Sequence, residues 1–296
     1  MEIIQYKLRP ILKWAGGKSR IYKHLKMPTS LSEGKIKNYY EPFFGGGAVF
    51  FNLIQSFKFE KCVISDINED LILFYRVVRN DPLKFIDFSE RYFEIYSHLS
   101  TNEEKKDFYE EIRNTYNIDR FNIDYEGYSE FHVPRAAQML FLNKTCWGGL
   151  YRQNASGEFN TPCAEYNPAK LKKENIMNVS NVLKRVEIIC SDFQNICDRI
   201  EGNDTFVYLD PPYKDQFSDY YKTHFSDKDQ ERLSDVFKNL HNRDVCLMMN
   251  NSYSEEDKSI ETLYNGFNID YIDSISTIAN DASKRKKIKE LLITNY

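Results

Sequence analysis

Apolar and polar positions along this chain fall into short blocks of two kinds. KCVISDIN (61–68), RVEIICSDF (185–193), DTFVYLDPPY (204–213) and DVCLMMNNS (244–252) are apolar or β-branched runs bounded by polar turns. Each reads as a buried strand. EDLILFYRVVRN (69–80) instead sets Leu71, Phe74, Tyr75 and Val78 at helical spacing. SDKDQERLSDVFKNL (226–240) predicts a second helix, with Ser226 as its N-cap and Asp229 in its first turn. The chain ends in FNIDYIDSIS (267–276) and KIKELLITNY (287–296), two strands joined by a polar loop. Strands alternating with helices predict an α/β fold around a largely parallel sheet. The last two strands have no helix between them, so they should pair antiparallel at the sheet's edge.

Residues 80–184 break this alternation. They hold an acidic, tyrosine-rich helical stretch and then VPRAAQMLFLNKT (133–145), a helix with Pro134 in its first turn. CWGGLYRQNASGEFNTP (146–162) follows, rich in glycine, asparagine and aromatic residues, and reads as a loop or hairpin. The expected organisation is a domain made of 1–80 and 185–296, interrupted by an insertion at 81–184 with a function of its own.

Composition changes this picture in three ways. No apolar run is long enough to span a bilayer, and the N-terminus lacks a cleavable leader, so neither membrane nor secretion is expected. Six dispersed cysteines without a CxxC pair argue against disulfides and a metal site, and for the cytoplasm. The net charge of −4 hides segregation. Residues 1–37 carry nine basic side chains against two acids, and KRKKIK (284–289) adds five more without an acid, enough for a positive groove.

Three strands end in an acid: Asp66, Asp192 and Asp210. Ligands of open α/β sheets bind at the carboxyl ends of strands. EPFFGGGAVFF (41–51) is a glycine-rich turn before a helix-like run, and Asp66 follows Gly45 at about the 20-residue offset from which an acid meets ribose hydroxyls. The dinucleotide fingerprint fails because Phe50 stands where its last glycine belongs, which points to a nucleoside ligand lacking a pyrophosphate. AGGKSR (15–20) is no Walker loop, since Leu12 occupies the first glycine position, but Lys18 is left to neutralise a carboxylate or orient a ligand.

Asp210-Pro211-Pro212-Tyr213 suggests the chemistry. An exocyclic amine on a base is a poor nucleophile because its lone pair is delocalised into the ring. A carboxylate and a carbonyl accepting its two N–H bonds favour a more tetrahedral nitrogen. Asp210 and the Pro211 carbonyl can be those acceptors, pre-set by two prolines of fixed φ, while Tyr213 offers a face for stacking. Such an amine could attack a methylsulfonium, with positioning and electrostatics carrying the reaction.

KWAGGK (13–18), EPFFGGGAVFF (41–51), SDIN (65–68), SDF (191–193) and DPPY (210–213), in this order, resemble the Dam-type (D12 class, α group) adenine-N6-specific DNA methyltransferases. FLNKTCWGGLYRQNASGEFNTP (141–162) is similar to their target-recognition hairpin and KRKKIKELLITNY (284–296) to their C-terminal strand pair. The resemblance implies a class I S-adenosylmethionine-dependent methyltransferase fold, a Rossmann-like mixed sheet with an antiparallel edge strand, carrying a mostly helical target-recognition insertion. It implies S-adenosyl-L-methionine as cofactor, held by Trp14, Ala15, Gly16 and Lys18 at the methionine end. Phe43, Phe44 and Gly45 would line the pocket, Asp66 would hold the ribose, Asp192 and Phe193 the cofactor adenine, and Asp210 to Tyr213 the target adenine.

The partner implied is double-stranded DNA, with a cognate restriction endonuclease as a possible second, and one chain carries every part required. Within the hairpin, Arg152 can bond a guanine bidentately and Asn154 an adenine. Leu150 can meet a thymine methyl, Trp147 can wedge into the stack, Lys13 can reach a base edge and Lys144 a phosphate. Members recognising GATC usually carry Asn at the position of Gly148, and an aromatic-glycine pair after the hairpin proline, where this chain has Cys163, Ala164 and Glu165. These departures leave the recognised motif open. The tetrapeptide alone would also serve cytosine N4, an RNA adenine or a protein glutamine, and a silent DNA-binding module is a further alternative. The hairpin and the intact Asp210, Lys18 and Asp66 favour adenine methylation of duplex DNA.

Overall fold

A computed structural model of the chain describes residues 7–164, 171–213, 225–275 and 287–296. Glu165 and the first three residues of the KRKKIK cluster lie outside them. The described strands are β1 (Asn38–Glu41), β2 (Lys61–Asp66), β3 (Glu187–Cys190), β4 (Thr205–Leu209), β5 (Cys246–Ser252), β6 (Asn268–Ile275) and β7 (Lys287–Thr294). They form one sheet in the order β3-β2-β1-β4-β5-β7-β6. β1 to β5 are parallel, and β7 runs antiparallel to both β5 and β6, the antiparallel edge expected from the sequence. The chain winds from β1 outward through β2 to β3, then returns to place β4 on the other side of β1. The crevice between the ends of β1 and β4 is therefore a topological switch point, where open α/β sheets bind their ligands.

β1, with sequence NYYE, is the strand that apolar patterning does not reveal. Two tyrosines between polar neighbours look like a loop, yet Tyr39 is wholly buried at the centre of the sheet. The other parallel strands are legible because both faces are covered, so they read as unbroken apolar runs. Alternate residues go to opposite cores. Phe206 and Tyr208 of β4 face one side with Cys62, Ile64, Met248 and Leu292, while Val207 and Leu209 face the other with Val63, Leu247 and Leu291.

On the first face lie α2 (Ala48–Leu53), α3 (Glu69–Asn80), α6 (Val133–Thr145) and α7 (Lys173–Leu183); on the second, α8 (Phe193–Cys197), α9 (Asp227–His241) and α10 (Ser259–Leu263). α1 (Thr29–Ser32) precedes β1, and α4 (Pro82–His98) and α5 (Asn102–Asp119) both pack on α6. Local signals set the boundaries. Asn68 caps α3 by accepting from Leu71 N, and Ser226 with Asp229 closes a capping box on α9. Thr101 and Glu104 do the same for α5. α6 is buried on nearly all sides, and its Phe141 packs against Tyr92, Phe93, Tyr96 and Phe108 from α4 and α5. The buried side chains of these helices continue into the core under the first face of the sheet.

Candidate active site

Strand parity decides which acids can meet. Glu41 follows Tyr39 by two positions on β1, Asp66 follows Ile64 on β2, Asp210 follows Tyr208 beyond β4, and Glu290 precedes Leu292 on β7. Period two therefore turns all four carboxyls toward the face that also carries α6. Lys18 enters from the N-terminal loop to meet them. Its ammonium, only 4% exposed, lies 2.8 Å from Asp210 Oδ1 and 3.7 Å from Glu290 Oε2, and donates to the Gly16 carbonyl at 2.7 Å. Tyr213 closes the group. Its hydroxyl donates to Glu290 Oε2 at 2.8 Å, and its ring centroid is 4.8 Å from the same ammonium.

Burial pushes the Asp210 carboxyl up to about 6; Lys18 opposes the rise and Glu290 adds to it. Burial also holds the Tyr213 phenol far above its ordinary range, with the Asp210 and Glu290 charges adding to the effect. Glu41, buried and accepting from Tyr39 at 2.6 Å, is likewise driven well above the usual carboxylate range by burial. Pro211 is buried and Pro212 exposed. The Pro212 carbonyl accepts from Gln230 Nε2 at 3.2 Å, which pins the turn to α9.

Beside this cluster the glycine turn connects β1 to α2. Gly47 has φ of 69°, and a Cβ there would come within 2.4 Å of the Phe44 ring, so only glycine fits. A Cβ at Gly45 would strike Trp14 at 2.8 Å, so the turn lies directly against the indole. Asp66 Oδ2 accepts from Gly45 N at 2.9 Å and Oδ1 from Asn68 N at 3.0 Å. A carboxylate has about four acceptor positions, so capacity remains for hydroxyls. Phe44 points away into the core, 2% exposed against Tyr75, and supports the turn from beneath. Phe43 is half-buried and stacks on Phe193 at 5.2 Å. Asp192 caps α8 by accepting from Gln194 N, and also receives both arms of Arg232 at 2.8 and 2.9 Å. The Arg232 guanidinium lies 4.3 Å from the Phe193 ring centroid, so one arginine fixes both members of the Asp192–Phe193 pair.

The hairpin leaves α6 at Trp147, which is 40% exposed, and its arms are bridged at Cys146–Cys163 and Gln153–Phe159. Gly148 has φ of 67° with open space beyond it. Among other residues asparagine best tolerates this left-handed conformation, and a side chain here would extend into open space. Arg152 is held by Asn160 Oδ1, which accepts from its Nε at 2.8 Å. Two sequence candidates, Asn154 and Lys144, have their side-chain polar atoms engaged within the protein. Asn154 donates to Glu158 Oε2 and accepts from Glu158 N, so both ends of its amide shape the turn. Lys144 donates to the Ile11 carbonyl at 2.5 Å, and burial drives its pKa down to about 8. The Leu150 carbonyl accepts from Thr161 Oγ1.

The hairpin also touches the N-terminal loop. Lys13 makes two backbone hydrogen bonds with the Asn143 amide, and its stem passes over Gly149. Trp14 stacks on Tyr151 at 5.2 Å, with Ala15 and Gly16 next in the same loop. Thus contacts link Trp14 to Lys18, Gly45, Asp66 and Asp210 to Tyr213 into one cluster, and Phe43 joins Asp192–Phe193 to it. Four further residues that the sequence reading did not single out join the site: Glu41, Glu290, Arg232 and Tyr151. An acid inside the apolar run KELLIT was a visible signal for Glu290; Arg232 looks like an ordinary helix surface residue, and nothing marks it.

Comparison with known proteins gives a consistent set. The family model of D12 class N6 adenine-specific DNA methyltransferases matches residues 14–278. The chain is 44% identical to the type II methyltransferase M.MjaIII of Methanocaldococcus jannaschii, over 98% of this chain and 100% of that protein. It is 35% identical to the type II methyltransferase M1.LlaDCHI of Lactococcus lactis, over 98% and 96%. A DNA adenine methylase of Vibrio cholerae is 28% identical, over 97% and 95%.

Proposed function

The chain belongs to the D12 class of N6 adenine-specific DNA methyltransferases, and on that premise we propose that it methylates one adenine within a short motif of duplex DNA through Asp210 to Tyr213. The observation that carries this reading is the meeting of the Asp-Pro-Pro-Tyr turn with the buried Lys18 ammonium beside the glycine turn, at the switch point of the sheet.

The residues fit S-adenosyl-L-methionine. Lys18, paired with Asp210, borders its methionine end, Asp66 has acceptor positions left for ribose hydroxyls, and half-buried Phe43, backed by buried Phe193, offers aromatic surface to its adenine. When bound, the cofactor supplies an electrophilic methyl on a sulfonium. Asp192, held in a bidentate pair, is a fixed wall of the adenine end.

On the DNA side, Asp210 and the Pro211 carbonyl accept from the amino group of an extruded adenine, and Tyr213 stacks on its ring. The two prolines hold these acceptors in place before the base arrives. Ionised Asp210 also stabilises the positive charge that grows on N6. Arg152 reads a base edge, Trp147 fills the gap left by the flipped base, and Lys13 reaches the groove from the cofactor loop. Asn154 and Lys144 support the hairpin from within, and Leu150 is left as an apolar contact. Residues 81–184 act as the target-recognition insertion, and residues 1–80 with 185–296 as the catalytic domain. Similarity to proteins named type II methyltransferases supports a cognate restriction endonuclease as partner. Six cysteines without a disulfide suit the cytoplasm, and a single chain holds both the reacting cluster and the hairpin, which suits a monomer.

Incubating unmethylated plasmid with the protein and methyl-labelled S-adenosylmethionine, then digesting to nucleosides, tests the reaction. The label should appear in N6-methyldeoxyadenosine, and Asp210→Asn should lower the rate by about 10²–10³-fold, the usual effect of removing one preorganised electrostatic group. Label in N4-methyldeoxycytidine, or an undiminished rate in Asp210→Asn, would contradict the reading.

A further inference from the structure

Glu290 is a carboxylate in the middle of a sheet. It sits on β7 opposite Ser252 of β5 on one side and Ile272 of β6 on the other, with its side chain 8% exposed. Burying a charge there is costly unless partners compensate. Its partners are the two groups that define the reacting cluster: the Tyr213 hydroxyl at 2.8 Å and the Lys18 ammonium at 3.7 Å. We propose that Glu290 is a positioning residue for methyl transfer, anchoring Tyr213 by its hydroxyl and sharing Lys18 with Asp210. This rests on the methyltransferase reading of the same site.

Two consequences follow from the geometry. Tyr213 is fixed at two points, by its hydroxyl on Glu290 and by its ring beneath Lys18. A stacking ring held at both points presents its face to the base without searching for a rotamer. The second consequence is electrostatic. One ammonium serves two carboxylates, so Lys18 neutralises Asp210 only in part. The charged and titratable groups facing Asp210 are Lys18 from the N-terminal loop, Glu41 from β1, Tyr208 from β4, Tyr213, and Glu290 from β7. Of these Glu290 is the carboxylate that shares Lys18, and it opposes ionisation of Asp210. A carboxylate with raised basicity is a better acceptor for N–H bonds.

The test compares wild type with Glu290→Gln, which keeps an acceptor for Tyr213 but removes the charge, and with Glu290→Ala, which removes both. A carbon-13 carboxyl titration of Asp210, needing neither substrate nor cofactor, should show its pKa falling by about one unit in both variants. KM for DNA should rise about tenfold in Glu290→Ala, with weaker 2-aminopurine fluorescence from a flipped target base, and should stay near wild type in Glu290→Gln. That rescue separates anchoring of Tyr213 from mere support of the sheet. An unchanged Asp210 titration in Glu290→Gln overturns the proposal even where methylation proceeds normally. A shifted titration in a protein that methylates no DNA would instead overturn the methyltransferase reading and leave the charge sharing intact.

Discussion

Asp210 meets two opposed demands. To accept from an amine it must be ionised, yet to exclude water around the reacting atoms it must be buried, and burial favours the neutral acid. The site settles the conflict with one shared ammonium, which brings the carboxyl to about 6 rather than higher. Near neutral pH the group is ionised and able to accept. As pH falls through about 6 it takes a proton, and a carboxylic acid no longer serves as a charged acceptor. The kcat/KM profile should therefore fall tenfold per pH unit below an inflection at about 6, with little change above it. A profile flat down to pH 5 would show that ionised Asp210 is not needed. The linkage to stability has the reverse sense. Because the folded pKa is raised, protonated Asp210 favours the fold below the ordinary carboxylate range, and this contribution disappears as pH rises through about 6. The working ionisation state is thus the less stable one, a cost carried at the site where the chemistry needs it.

Among the elements, α3 and α6 carry the most consequential contact. Asp70 at the start of α3 accepts from Arg135 Nε at 2.6 Å and Nη2 at 3.0 Å, and also from Tyr125 and Tyr151. Burial alone would raise the pKa of Asp70, but the guanidinium and hydroxyl donors reverse this and hold it below the usual value. Tyr151 in turn stacks on Trp14, so this buried pair fastens α3, α6, the hairpin and the N-terminal loop together. Removing one partner leaves a buried charge alone. Arg135→Met should cost about 3–5 kcal/mol in urea unfolding, and Asp70→Asn with Arg135→Met should recover part of that loss. A loss below about 1 kcal/mol would mean that the pair is not a principal tie. None of this was legible beforehand. In the sequence Asp70 looks like an ordinary first-turn acid favoured by the helix dipole, and its partner lies 65 residues away. α3 was legible from its local apolar spacing and α9 from its local cap. β1 was not, because the burial of Tyr39 is decided by the neighbours β2 and β4 rather than by its own pattern.

At the scale of the molecule, winding order brings distant segments to one crevice. Residues 14–18, 41–47, 66 and 210–213 were each suggestive alone, and the reversal of strand order between β1 and β4 explains why they belong together. Their order along the chain was visible as a resemblance. The contribution of β7 was not, because it depends on a long antiparallel return that seats Glu290 across from the Asp-Pro-Pro-Tyr turn. Specificity follows the same division. The hairpin is built largely on its own hydrogen bonds, Gly148 faces open space at its turn, and the Cys163 thiol lies 3.9 Å from the Tyr96 hydroxyl.

The most direct test is methylation-sensitive native sequencing of DNA from a methylation-deficient host that expresses this chain, beside a host expressing Asp210→Ala. N6-methyladenine should appear at one position of one short motif with the wild type and be absent with the variant. Unmodified DNA from the wild type, or the same methylated motif from Asp210→Ala, would contradict the methyltransferase reading.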